Sequence, residues 1–105
     1  MRKTYELPAD IQHSELHPYR IEQVIDGLDV PWSLAFLPDG RLLFTERTGR
    51  IMIATQQDGR WLTTQPILDV HPVWVRDEAG LMALAVPPDY ATTGWLYLTL
   101  SQKLR

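Results

Sequence analysis

Short apolar runs separated by turn dipeptides recur along most of the chain. This pattern is typical of β-strands and lacks the three-to-four-residue period of a helix. It predicts strands over 32–37, 42–46, 50–54, 61–65, 81–86 and 95–100. Tight turns are predicted at Asp39-Gly40, Thr48-Gly49 and Asp58-Gly59, because glycine accepts the positive φ that short hairpins need. We therefore predict an all-β meander of antiparallel strands.

The first 20 residues show no sustained hydrophobic period. Charged residues, two histidines and two prolines interrupt it, so we expect an extended or poorly ordered lead-in over 1–20. An early strand is expected at 21–25, just before the turn at Asp26-Gly27. The sheet structure would then occupy 21–105.

One segment of the chain repeats. Leu34-Ala-Phe-Leu-Pro-Asp39 returns 50 residues later as Leu84-Ala-Val-Pro-Pro-Asp89, and the strands that follow match once four extra turn residues are allowed. A repeat of about 50 residues with roughly four short strands is the period of β-propeller blades. We predict a partial β-propeller, with a first blade over about 30–72 and the start of a second over about 78–105.

Consecutive apolar positions at 34–37 and 42–44 indicate that both faces of the sheet are buried. A sheet with one face in water would alternate apolar and polar residues instead. Stacked blades bury both faces, and the small Ala35, Ala83 and Ala85 suit innermost strands crowded near an axis. An uncovered blade face would leave apolar surface in water, and at ~25 cal/mol per Å² this loses about 10 kcal/mol of stabilisation. We therefore expect the chain to fold stably only with its neighbouring blades.

Composition places the chain among globular proteins, with 45% hydrophobic and 22% charged residues. A formal net charge of -3 provides no basic surface for nucleic acid. No run has the length of a membrane span, and the N-terminus lacks the apolar core of a secretory signal. The absence of cysteine excludes disulfides, thiolate metal sites and cysteine nucleophiles.

Two side chains are candidates for substrate binding. Glu78 directly precedes the second innermost strand, where residues of a propeller converge on the axial mouth, and its carboxylate could accept a hydrogen bond or act as a base. A charged loop facing water is the alternative. Trp32 begins the first innermost strand, and its ring could stack on a sugar. Trp61 and Trp95 are instead expected to pack between blades.

Two further pairs of residues allow weaker interpretations. His13 and His17 have the spacing of a metal pair on a helix, but Pro18 opposes a helix there, so a solvated lead-in is favoured. Arg47 and Arg50 flank a hairpin turn, where they either bind an anion or are solvated.

Two longer segments resemble a known family. Residues 27–51, GLDVPWSLAFLPDGRLLFTERTGRI, resemble the opening blade of glucose/sorbosone dehydrogenases, the soluble pyrroloquinoline-quinone-dependent aldose dehydrogenases. Residues 79–99, AGLMALAVPPDYATTGWLYLT, resemble the second signature of that family. The resemblance covers about 21–102, in the family's order and spacing.

The resemblance implies a six-bladed propeller, of which this chain supplies about one and a half blades plus an N-terminal strand. It implies a parent enzyme that holds pyrroloquinoline quinone at its axial mouth, usually with calcium, and oxidises the C1 hydroxyl of an aldose by hydride transfer to the quinone. The catalytic histidine, the quinone-binding arginines and the calcium ligands would belong to later blades. We therefore expect no catalytic residue, metal ligand or bound cofactor in this chain alone, and no activity. The family's sugar-facing glutamine falls on Glu78 in this chain.

The resemblance also implies a periplasmic or extracellular parent, although this chain shows no signal peptide. Whether the parent forms a homo-oligomer is left open. Two alternatives remain. A non-catalytic propeller that binds carbohydrate or protein is one, since the scaffold supports binding as readily as catalysis and a carboxylate at Glu78 replaces the family's amide. A propeller lactonase is the other, and it would need metal-binding carboxylates and asparagines around the axis.

Overall fold

The computed structural model describes residues 6–63 and 66–104. Within these ranges, nine strands form three antiparallel sheets, and there is one short helix. In chain order they are β1 Gln12–His13, β2 Pro18–Tyr19, β3 Pro31–Phe36, β4 Leu42–Glu46, β5 Arg50–Gln57, β6 Arg60–Thr63, β7 Leu68–Asp69, β8 Leu81–Ala85, α1 Tyr90–Thr93 and β9 Tyr97–Leu100.

The main sheet is the meander predicted for the first blade. Its strands follow the order β3-β4-β5-β6, and β7 pairs with the start of β5. Gly40 and Gly59 lie in the hairpin turns at φ 92° and 77°, where glycine meets no steric penalty. The strands predicted at 32–37, 42–46 and 50–54 are confirmed, with β5 extending to Gln57. The end of the strand predicted at 61–65 lies outside the described residues.

The second sheet is the start of the next repeat. β8 pairs with β9, and the four residues of α1 lie between them. These are the four extra residues that the repeat required, and the helix ends at Gly94 in the left-handed conformation, φ 71°. The strands predicted at 81–86 and 95–100 are confirmed in place, although β9 begins at Tyr97 because Gly94 still caps the helix.

Both faces of β4 are buried, as the consecutive apolar positions predicted. On one face, Leu43 joins Leu37 and Ile51 to Leu81 and Leu84 of the second sheet. On the other face, a second cluster of Leu42, Phe44, Met52 and Ala54 is covered by Ile25, Leu28 and Trp61. The core therefore lies between the two sheets and beneath the segment that precedes β3.

The N-terminal strand predicted at 21–25 is wrong. All of these residues are described, and none belongs to a strand. Ile25 contributes its side chain to the core, but the backbone of the segment pairs with no sheet. The paired residues lie earlier, in the β1–β2 hairpin, whose turn closes through the Ser14 hydroxyl donating to the His17 carbonyl at 2.9 Å. His13 and His17 lie in this hairpin and do not form the helical pair that a metal motif needs.

The edge strand β3 leaves an apolar face uncovered. Its inward positions, Ala35 among them, face the second sheet. Its outward positions carry Trp32, Leu34 and Phe36, which are 48%, 64% and 58% exposed. Such a row of large apolar side chains on an edge strand is unusual for a finished surface.

Candidate functional site

The structure places Trp32 and Glu78 at the same end of two neighbouring strands. Arg47 connects these strands through its backbone: its N–H donates to the Val30 carbonyl at 3.0 Å, and its carbonyl accepts from Leu81 N–H at 2.9 Å. Trp32 follows Val30 by two residues, and Glu78 precedes Leu81 by three. Both predicted side chains are exposed, so each can reach a ligand in solvent.

A tight turn presents Glu78. Ala79 N–H donates to the Arg76 carbonyl at 2.7 Å, and Arg76 N–H donates to the Ala79 carbonyl at 3.3 Å. Asp77 has a φ of 52°, a left-handed backbone conformation that residues other than glycine rarely adopt. The turn therefore exposes Glu78 immediately ahead of β8.

Arg47 lies against this turn. Its guanidinium Nη1 donates to the Asp77 carbonyl. The approach depends on Gly80, because a Cβ there would lie 2.4 Å from the Arg47 carbonyl oxygen. Arg50, the other arginine predicted to be solvated or to bind an anion, is also engaged: its Nε lies 2.9 Å from Glu46 Oε1.

Hydroxyl groups join the two sheets beneath the site. The Thr45 hydroxyl, which is fully buried, donates to the Met82 carbonyl at 2.7 Å and accepts from Ser33 N–H at 3.2 Å. The Ser33 hydroxyl in turn accepts from Leu84 N–H at 3.1 Å. These bonds hold β3 and β4 in register with β8 at the end that carries Trp32 and Glu78.

A buried carboxylate stabilises the hairpin between β4 and β5. Glu46 is 3% exposed, and its Oε2 accepts from Asp29 N–H at 2.6 Å. Arg50 balances its charge and also lies 3.5 Å from Asp29 Oδ2. The pattern of apolar residues could not reveal Glu46 or Thr45 as buried, because both side chains are polar.

Trp32 also lines an apolar cleft of about 800 Å³. Ile21, Val24 and Leu28 form one wall, and Leu34 and Phe44 lie on the sheet side. The cleft continues the uncovered face of β3. The residues around it do not include Glu78, so within the part of the chain that the structure describes the two predicted side chains share an end of the fold and no common cavity.

The described residues contain no cluster of metal-ligating side chains. Among residues 6–63 and 66–104, no group of three His, Cys, Asp or Glu side chains could hold a metal ion. Arg41 pairs with Asp39, Arg47 donates to the Asp77 carbonyl and Arg50 pairs with Glu46, so these three arginines are engaged within the chain. The same ranges contain no helix long and apolar enough to cross a membrane.

Comparisons with known proteins define the class first. A 31% identical region of the PQQ-bound form of aldose sugar dehydrogenase from Streptomyces coelicolor superimposes with a TM-score of 0.67, over 91% of this chain and 27% of that chain. The chain is thus a portion of a β-propeller, as its repeat predicted.

The family follows from the sequence comparisons. The family model for glucose/sorbosone dehydrogenase matches residues 28–105, so the chain belongs to that family. The aldose sugar dehydrogenase YliI of Escherichia coli (strain K12) is 36% identical over 83 residues, which cover 78% of this chain and 22% of that protein. Hedgehog-interacting protein of Mus musculus is 34% identical over 86 residues, covering 75% and 12% respectively. The chain spans about a fifth of the length of the first curated relatives it matches, 20% and 22%.

Proposed function

We propose that this chain is the opening portion of a quinone-dependent aldose dehydrogenase. The match of residues 28–105 to the glucose/sorbosone dehydrogenase family carries the proposal. A relative described as PQQ-bound and as an aldose sugar dehydrogenase supports both the sugar substrate and the cofactor. When bound, the quinone supplies the hydride acceptor for oxidation of the sugar's C1 hydroxyl, and calcium accompanies it by family resemblance.

Within this chain, Glu78 and Trp32 are the proposed substrate contacts. The exposed Glu78 carboxylate can accept a hydrogen bond from a sugar hydroxyl, and a charged acceptor makes that bond stronger than the family's amide would. Trp32 offers an apolar ring at the same end of the fold. The remaining groups for the reaction would come from blades outside this chain, and the chain alone is proposed to be inactive.

The first experiment is to sequence the encoding locus across both ends of the reading frame. Further repeats of about 50 residues, with a histidine ahead of a glycine-rich innermost strand, support the dehydrogenase.

The complete polypeptide is then assayed for aldose oxidation with added pyrroloquinoline quinone and calcium, using a dye as the final electron acceptor. Export of the parent to the periplasm or cell exterior is tested by fractionation. Lack of quinone-dependent turnover in a well-folded polypeptide would remove the enzymatic proposal.

A non-catalytic binding propeller is the second candidate. One relative of similar identity is named for interacting with a protein, and Glu78 replaces an amide expected to face the sugar. Calorimetry distinguishes the two functions: a binder takes up carbohydrate or protein without quinone and without turnover. A propeller lactonase stays an untested alternative, because its metal-binding carboxylates and asparagines would come from blades outside this chain.

A further inference from the structure

Arg47 holds the chain on both sides of Glu78. Its side chain donates to the carbonyl of Asp77, the residue directly before Glu78. Its backbone carbonyl accepts from Leu81 N–H at 2.9 Å, three residues after Glu78. A single residue, in the turn between β4 and β5, therefore contacts both ends of the short segment that presents Glu78.

The Arg47 side chain is packed into this position. An added Cβ at Gly80 would lie 2.5 Å from Arg47 Cγ, so the aliphatic stem lies directly over the glycine. The Nε atom is buried and has no hydrogen-bond partner among the described residues. Arg47 is half-buried, and the packing of its stem on Gly80 restricts the orientation of the guanidinium more than is usual for a surface arginine.

The turn that Arg47 contacts needs an external tie. Asp77 adopts a φ of 52°, and a left-handed residue other than glycine persists where surrounding contacts hold it. The Asp77 carbonyl is the group to which Arg47 donates. Without that bond, only the two backbone bonds between Arg76 and Ala79 hold the peptide between Asp77 and Glu78, so the direction of the Glu78 side chain is less firmly set.

We propose that Arg47 is a positioning residue, which fixes the turn 76–79 and so sets the direction in which Glu78 meets a sugar hydroxyl. The proposal rests on the proposed function, because it assigns Arg47 a role through Glu78. Arg47 itself makes no contact with substrate in this scheme. Its guanidinium is committed to the Asp77 carbonyl.

A double-mutant cycle in the complete polypeptide tests the proposal. Arg47→Ala is expected to raise KM for the aldose about tenfold, which corresponds to one weakened hydrogen bond to a charged group, with kcat within about twofold of the unsubstituted enzyme. Glu78→Ala should raise KM similarly, and the double variant should be no worse than Glu78→Ala. Arg60→Ala, an exposed arginine on β6 at the other edge of the sheet, is the matched control and should leave KM unchanged.

Amide hydrogen exchange gives a readout that does not depend on activity. Arg47→Ala should speed exchange at Ala79, whose N–H closes the turn, by about tenfold or more. Leu37 and Gly94, whose amides donate to the Arg41 and Tyr90 carbonyls away from Arg47, should exchange as before. Arg47→Lys, which retains a donor at the end of the side chain, should restore part of the protection.

The outcomes separate the two proposals. An unchanged Ala79 amide, or an equal rise in KM when Arg47→Ala is made in the Glu78→Ala background, overturns the positioning role of Arg47. Unchanged KM in Glu78→Ala also overturns it, because no substrate contact remains to be positioned. If the unsubstituted polypeptide oxidises no aldose, the proposed function fails, while exchange at Ala79 still decides whether Arg47 holds the turn.

Discussion

Gly80 is a glycine with almost no room for a side chain. A Cβ there would meet the Arg47 backbone oxygen at 2.4 Å, and a backbone atom cannot rotate away as the end of a side chain can. Its role is therefore to allow the segment directly before β8 to lie against Arg47, in the turn between β4 and β5.

Gly80→Ala is expected to lower the free energy of unfolding by about 3 kcal/mol, the upper part of the range for overpacking. Gly94→Ala is the control, because it meets only open space and should cost about 1 kcal/mol for its left-handed backbone. Urea titration measures both. Equal losses in the two variants would mean that the contact with Arg47 has no energetic weight.

Asp39 illustrates how a turn sets the charge state of an exposed side chain. The Arg41 backbone N–H, 3.0 Å from Asp39 Oδ1, is the main cause that lowers the pKa of Asp39 below 3.8, and the Arg41 guanidinium adds to it. The stabilisation from this ionised carboxylate is present above the unfolded pKa and is lost as the pH falls through the lower folded pKa.

Arg41→Ala should therefore leave part of the lowering of the Asp39 pKa in place, because the backbone N–H, the largest single cause, is retained. Carboxyl chemical shifts recorded by NMR across the acid range measure this directly. A return of the Asp39 pKa to its ordinary value in this variant would assign the effect to the guanidinium instead.

At the scale of elements, hydroxyl bonds supplement the apolar contacts between the sheets. Thr45→Val keeps the side-chain shape but removes the acceptor for Ser33 N–H and the donor to the Met82 carbonyl. We expect a loss of about 2 kcal/mol in the free energy of unfolding, since buried backbone groups lose their partners. Thr55→Val on β5, outside this link, should change stability by less than about 0.5 kcal/mol. A similar loss in both variants would contradict a special role for Thr45.

The strands of the meander could be predicted because their signals are local. The turns at 39–40 and 58–59 bound β4, β5 and β6, and each apolar run marks its own strand. The segment 21–25 has the same apolar character but forms no strand, because an apolar pattern does not by itself supply a hydrogen-bonding partner for the backbone. The two-residue strands β1, β2 and β7 have too short a pattern to be recognised.

The candidate site, too, could be predicted only in part from the sequence. The position of Glu78 ahead of β8 follows from the repeat, which fixes where an innermost strand begins. The contact between Arg47 and the preceding Asp77 carbonyl could not be predicted, because the two residues are 30 positions apart and meet only through packing of the two sheets. The assignments of Glu78 and Trp32 to substrate remain predictions.

At the scale of the whole molecule, the uncovered face of β3 decides how the chain behaves alone. Trp32, Leu34 and Phe36 present a continuous apolar row on an unpaired edge. In a closed propeller ring this face would lie against a neighbouring blade. In its absence we expect copies of the chain to associate through the same face.

Leu34→Glu should reduce that self-association at micromolar concentration, as measured by sedimentation velocity. Leu62→Glu, an exposed leucine on the strand at the other edge, is the control and should leave association unchanged. If both variants associate like the unsubstituted chain, the face of β3 is not the contact.

The shared hydroxyl bonds also bear on how such rings can diverge. Thr45 of one blade serves the backbone of the next through Met82, and Ser33 serves it through Leu84. A blade is therefore not an exchangeable module with boundaries at its loops. If residues 78–105 are replaced with a blade from another ring, the Thr45 and Ser33 hydroxyls remain and need backbone partners in the new blade. Such a recombination should succeed most often when the new blade presents a carbonyl and an N–H at the positions of Met82 and Leu84.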